Sequence, residues 1–233
     1  MIKAVIFDMV ETLVSLFQGM TYFGENIAAD VGADPERFRK EWHATEHDRT
    51  IGVYTIQEGI EVTLRKLGIY SEEAVYLAAE KRRESLNDTF SEIPVKSLEL
   101  LKELRQRRYK IGLITNAFSD ERDFIRRSEL FQYFDVAMIS YEKGLCKPDP
   151  AIFCETVKAL GVAPEECLYV GDGGSRELYA AKEAGMQALQ ATWFYELAFE
   201  PHIPCHPLSE FRHADDQFDI IKYLEGELKE EPL

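Results

Sequence analysis

The sequence predicts an α/β protein: a doubly wound, mostly parallel sheet whose first strand is separated from the rest by an all-helical insert. Three observations carry this. An apolar, β-branched run from Ile2 to Phe7 stops on Asp8, as a fully buried strand ending at a site position would. From about residue 16 to 90, apolar residues recur at spacings of three and four with no convincing strand among them. After Pro94, strand-like and helix-like segments alternate to about Thr192, and such βαβα alternation implies right-handed crossovers with ligands bound beyond the strands' carboxyl ends. The expected division is a core of residues 1–15 and 91–233 and a helical cap of residues 16–90.

In the insert, Phe23, Ile27 and Val31, then Phe38 and Trp42, then Ile56, Ile60, Leu64 and Leu67 mark helical faces. Breaks at Gly32 to Pro35, Gly52 and Gly68 to Ser71 divide them into about four helices. Val95, Leu98, Leu101 and Leu104 mark a further helix, Lys110 to Ile114 a strand, Asp120 to Leu130 a helix and Val136 to Ser140 a strand. Pro150 to Leu160 reads as a helix with proline near its start, Leu168 to Gly171 as a strand, and Arg176 to Ala184 as a helix stopped by Gly185. Met186 to Thr192 is the last strand expected. The tail from Phe194 is poorly periodic except for a helix over Phe218 to Leu228.

A chain of 233 residues with 45% hydrophobic and 30% charged residues has room for one sizeable core and a smaller lobe. Its formal net charge of −15 disfavours nucleic acid and anionic membranes, since the attraction that drives such binding is reversed in sign. An anionic small substrate would need a local cation, lysine or helix terminus. No export signal is visible, and no run of about 18 apolar residues suggests a membrane span. Cys146, Cys154, Cys167 and Cys205 form no CxxC pair, which fits reduced thiols and a cytoplasmic location.

Four strand-end features stand in order: Phe7-Asp8-Met9-Val10-Glu11-Thr12-Leu13, Leu113-Ile114-Thr115-Asn116, Gly144-Leu145-Cys146-Lys147-Pro148-Asp149-Pro150, and Val170-Gly171-Asp172-Gly173-Gly174-Ser175-Arg176-Glu177. Any one of them also reads as a turn, a helix cap or a solvated loop. In order, spacing and context the set resembles the four motifs of the haloacid dehalogenase (HAD) superfamily over about residues 1 to 192. The insert then matches that family's small helical cap, and the core its Rossmann-like fold.

The resemblance implies a phosphatase of small phosphorylated metabolites in which Asp8 is the nucleophile and becomes an aspartyl-phosphate. Thr115, Asn116 and Lys147 would hold the phosphoryl group. Asp8, the Val10 carbonyl, Asp172 and Glu177 would hold Mg2+, Glu177 directly or through water. Metal and lysine are required because a phosphate dianion repels a carboxylate nucleophile.

Two departures matter. The second aspartate usual in these phosphatases, which protonates the leaving oxygen, is here Val10, and the customary glycine after it is Glu11. If the segment is extended, Glu11 points away from the position Val10 occupies and is a solvated or cap-facing carboxylate. HAD dehalogenases also lack the second aspartate, so a 2-haloacid dehalogenase is the leading enzyme alternative, although the metal-type fourth motif favours phosphoryl transfer. Phosphonate-cleaving relatives need a cap lysine, for which Lys40 and Lys66 qualify by residue type alone. A catalytically weak HAD-like binding protein is the reading from another class. Near Gly52, with His43 and His47, Arg49 is either a solvated helix end or a cap arginine that binds a substrate anion. His202, Cys205, His206 and His213 match no compact zinc spacing, and Trp193, Phe194 and Tyr195 are expected to cover the sheet edge.

Overall fold

The computed structural model describes residues 1–227. Its sheet has six parallel strands in the order β3-β2-β1-β4-β5-β6. These are β1 (Ala4–Phe7), β2 (Lys110–Thr115), β3 (Val136–Ile139), β4 (Cys167–Gly171), β5 (Gln187–Ala191) and β6 (Arg212–Ala214). Continuous apolar runs suit a sheet covered on both faces. Val5 and Phe7 join one apolar cluster with Leu100, Leu104 and Ile220, while Ala4 and Ile6 join the other with Phe153, Val157 and Leu178. The first layer thus includes α6 (Val95–Gln106) and α11 (Asp219–Glu225), and the second α9 (Pro150–Leu160) and α10 (Glu177–Glu183).

The insert holds five helices rather than four: α1 (Gly24–Asp30), α2 (Pro35–His43), α3 (Glu46–Thr50), α4 (Ile56–Leu67) and α5 (Glu72–Ser91). The extra one, α3, is a short turn whose polar sequence EHDRT gives no apolar period. The breaks act as read. Asp34 caps α2 by accepting from the Arg37 N–H at 2.9 Å, with Pro35 as the first helical residue, and Thr55 with Glu58 forms a capping box on α4. Ile27, Phe38, Trp42, Ile56, Ile60 and Leu64 bury into an apolar cluster of their own.

Beyond the insert, the helix expected over 120–130 runs as α7 (Ser119–Arg127), and Ser140 opens a short helix, α8 (Ser140–Lys143), instead of ending β3. The sixth strand was not legible, because three residues cannot show a period. β6 extends the sheet past β5, so the aromatic segment after Thr192 does not cover a bare edge there: Trp193 instead donates from Nε1 to the Thr12 carbonyl at 2.9 Å. The expected end of the last helix, Leu228, lies outside the described residues. No described helix is long and apolar enough to cross a membrane.

Candidate active site

Three central strands end side by side with functional groups at their carboxyl termini. Phe7 pairs with Leu113 on one side and Val170 on the other, so Asp8, Thr115 and Asp172 emerge from neighbouring strands. The Asp8 N–H donates to the Val170 carbonyl at 2.9 Å, carrying the ladder one residue past the strand and fixing where the carboxylate starts.

Lys147 arrives on the loop before α9 and lies buried between two carboxylates. Its Nζ donates to Asp8 Oδ1 at 2.6 Å and to Glu177 Oε2 at 2.5 Å. Glu177 Oε2 also accepts from the Tyr169 hydroxyl at 2.8 Å, and Oε1 from the Gly173 N–H at 3.1 Å. Gly171 makes room for this: a Cβ there would stand 2.0 Å from Glu177 Oε1. Tyr169, which sequence reasoning passed over as one more strand residue, is therefore part of the site. The only signal was a hydroxyl in an otherwise apolar buried strand.

Asn116 faces inward to the protein. It accepts from the Lys147 N–H at 2.8 Å and donates to the Lys147 carbonyl at 3.1 Å, bracing the loop that delivers the lysine. Thr115 is fully buried, and its hydroxyl makes only a 3.5 Å contact with the Asn116 carbonyl, which leaves it available to an incoming oxygen.

Carboxylate oxygens of Asp8, Asp172 and Glu177 can lie within 4.8 Å of one another, the only cluster of metal-ligating side chains among the described residues. Three carboxylates against one ammonium leave a formal charge of −2. The electrostatics follow. Burial pushes the Asp8 carboxyl up to about 6 against the lowering pull of Lys147. Burial, then Glu177 and Asp8, drive Asp172 well above the carboxylate range. Burial alone would lower Lys147, but its two carboxylate partners hold it above the ordinary lysine value, so it stays charged. An all-oxygen donor set carrying this excess suits a hard divalent cation, and Mg2+ fits it.

The expectation of an extended segment with a solvated Glu11 is overturned. Glu11 has a left-handed backbone (φ 56°), so strand alternation does not apply, and its side chain is buried. It accepts from Ser15 Oγ at 2.7 Å and from the Leu16 N–H at 2.8 Å, pinning the chain where it leaves the core for the insert. Burial lifts its carboxyl to about 7. Val10, half-buried on the same turn, offers no proton.

The tail histidines do not converge: His202 pairs with Glu25 and stacks on Phe23, His206 meets the Tyr195 hydroxyl at 2.9 Å, and His213 meets the Leu208 carbonyl at 3.0 Å. All four cysteines are unpaired. Lys40 and Lys66 are exposed, on α2 and α4. Arg49 is buried, not solvated. It lines a cavity of about 180 Å³ between insert and core, bounded by Leu16, Tyr22, Trp42, Arg82 and Phe118 among others. Arg82 of α5 bridges to Asp120 and Glu121 of α7, at 2.7 Å each, and ties the insert to the core.

The comparisons agree with this architecture. The chain is 27% identical over 192 residues to a glyceraldehyde 3-phosphate phosphatase of Methanopyrus kandleri, a match covering 80% of this chain and 82% of that protein. It is 40% identical over 90 residues to the rhythmically expressed gene 2 protein of Drosophila melanogaster, spanning 37% of this chain and only 35% of that protein. The crystal structure of a 2-haloacid dehalogenase from Pseudomonas syringae superposes with a TM-score of 0.69 at 24% identity, covering 97% of this chain and 99% of that one, a likeness of fold. The family model of haloacid dehalogenase-like hydrolases matches residues 2–185, and with most of the chain inside that match the protein belongs to this hydrolase family.

Proposed function

We propose that the chain is a Mg2+-dependent phosphatase of small phosphorylated metabolites, working in the cytoplasm through an aspartyl-phosphate on Asp8. The observation that carries this reading is the buried Asp8–Lys147–Glu177 array beside Asp172, whose excess of two negative charges calls for a divalent cation. Its phosphatase relatives support the same direction.

Asp8 Oδ attacks phosphorus, the bond to the leaving oxygen breaks, and the phosphoryl group passes to the carboxylate. Lys147 orients Asp8 and neutralises phosphoryl charge, and Glu177 with Tyr169 holds the ammonium in place. The Thr115 hydroxyl donates to a phosphoryl oxygen, and Asn116 keeps the Lys147 loop in register. Water then attacks the phosphorus of the aspartyl-phosphate, the Asp8 Oδ–P bond breaks, and inorganic phosphate leaves with the carboxylate regenerated. Asp8, Asp172, Glu177 and the Val10 carbonyl would hold Mg2+, which when bound offsets charge on nucleophile and phosphoryl group alike. Since Val10 cannot donate a proton, the leaving oxygen departs unprotonated or takes its proton from water.

A second reading draws on the same valine. Halide leaves without a proton, so a carboxylate attack on carbon would tolerate Val10. The two are separated by measuring phosphate release from an aryl phosphate and halide release from 2-haloacids, with Mg2+ and with chelator, in wild type and Asp8→Asn. Mg2+-dependent phosphate release abolished in Asp8→Asn is expected. Halide release that ignores chelator, without phosphate release, would replace the phosphatase reading.

A further inference from the structure

The cavity between insert and core contains a buried cation without a close counter-ion. Arg49 is 1% exposed, and its Nε and Nη1 have no hydrogen-bond partner among the described residues. Its guanidinium carbon lies 3.3 Å from the Trp42 ring centroid and 4.7 Å from that of Phe118, so the contacts it does make are to aromatic faces. The other guanidinium on the cavity, Arg82, is already paired with both Asp120 and Glu121. Burial and then Arg82 bring Arg49 down to about 10, which leaves it charged at neutral pH. An unpaired buried charge is unfavourable unless something else brings its partner.

The fold makes room for this side chain. Gly59 lies inside α4, where helix propensity disfavours glycine, and a Cβ there would stand 2.4 Å from Arg49 Cδ. Two walls of the cavity, Leu16 and Phe118, come from the segments that leave β1 and β2 after Asp8 and Thr115, so the cavity adjoins the loops of the reacting centre.

We infer that Arg49 selects substrates carrying a carboxylate remote from the phosphoryl group, which makes the substrate class small phosphorylated carboxylic acids. This rests on the phosphatase reading of the Asp8 centre. A monoanion is favoured over a second phosphoryl dianion because Arg49 is the one guanidinium on the cavity that makes no ion pair among the described residues, and the carboxylates of Glu46 and Glu121, which also line it, would repel a dianion more strongly. The planar guanidinium and the aromatic walls suit a planar, weakly hydrated carboxylate.

The test compares kcat/KM for 4-carboxyphenyl phosphate and 4-carbamoylphenyl phosphate with Mg2+ in wild type, Arg49→Met, Arg49→Lys and Gly59→Ala. Wild type is expected to prefer the carboxylate by roughly 10–100-fold, the worth of a charged hydrogen-bonded contact. Arg49→Met and Gly59→Ala should bring the ratio towards one, chiefly through KM for the carboxylate, and Arg49→Lys should lose most of it. A turnover-free readout runs in parallel: 4-hydroxybenzoate should raise the Tm of metal-free wild type and not that of Arg49→Met. A wild-type ratio near one, a ratio retained without Arg49, or equal stabilisation of both proteins by 4-hydroxybenzoate overturns the inference. So does a stronger preference for an aryl bisphosphate. If neither ester is turned over, the phosphatase reading fails, and the 4-hydroxybenzoate shift still decides the role of Arg49.

Discussion

Binding of Mg2+ should be visible as stability, and Asp172→Asn should remove that effect. Asp8, Asp172 and Glu177 converge around one ammonium, and burial, with the neighbouring carboxylates adding to it, raises the pKa values of Asp8 and Asp172. A cation that binds only the folded state stabilises it by about 2.7 kcal/mol at a hundredfold excess over its Kd. An unfolding entropy of about 2 cal/mol/K per residue gives about 0.5 kcal/mol/K for a chain of this length, so the Tm should rise by about 5–6 °C. Asp172→Asn removes one ligand. If that weakens affinity by about 100-fold, the same Mg2+ concentration yields about 0.4 kcal/mol and a shift under about 1 °C. The metal-free variant should also melt no lower than wild type, since one carboxyl whose ionised form burial disfavours has gone. Differential scanning fluorimetry of both proteins in chelator and across a Mg2+ titration measures all three quantities. An Asp172→Asn protein that keeps the full Mg2+ shift would refute the assignment of this cluster as the metal site.

Lys147→Ala should lower turnover of an aryl phosphate even at saturating Mg2+, because the lost charge acts on the phosphoryl group; rescue by added metal would contradict that division of labour. The metal-free protein should lose stability as pH rises from about 4 to 7. Asp8 and Glu11, raised to about 6 and about 7 from ordinary values of 3.8 and 4.5, keep protons in the folded state that the unfolded chain has released. Urea unfolding in chelator across that range checks the sign, and Glu11→Gln should flatten the upper part. Turnover should fall steeply as leaving-group pKa rises, since a general acid contributes about 10²–10⁴ in rate and Val10 supplies none. A series of aryl and alkyl phosphates tests this, and similar rates for both would point to Glu11 as the proton source.

Much of the core was readable because the central strands carry apolar runs and the longer helices a period that buries one face. Asp8, Thr115 and Asp172 stood out for a related reason: strand ends are where polar residues interrupt those runs, whereas Lys147, on the loop before α9, stood out only through the family resemblance. What escaped detection depends on local geometry. Glu11 was misread because alternation presumes an extended chain, and a single left-handed residue defeats it. Tyr169 was passed over because its hydroxyl matters through Glu177 and Lys147, both on separate elements distant in sequence. Arg49 was left between solvated and functional because α3 is too short to show which side faces inward.

Glu177 has a second role beside the metal one proposed for it. Both of its oxygens also accept from protein donors: Lys147 and Tyr169 on one, the Gly173 N–H on the other. Without Glu177, Lys147 would have Asp8 as its only carboxylate partner, and an ammonium drawn wholly onto the nucleophile would suppress its reactivity. Sharing the lysine between two carboxylates holds it at 2.6 Å from Asp8 without committing it there. It can therefore turn towards a phosphoryl oxygen as charge builds on it, while Glu177 keeps its place. The same argument explains the glycine at position 171: Glu177 Oε1 occupies the space a Cβ would fill, so the backbone at the end of β4 is shaped around the carboxylate that steadies the lysine.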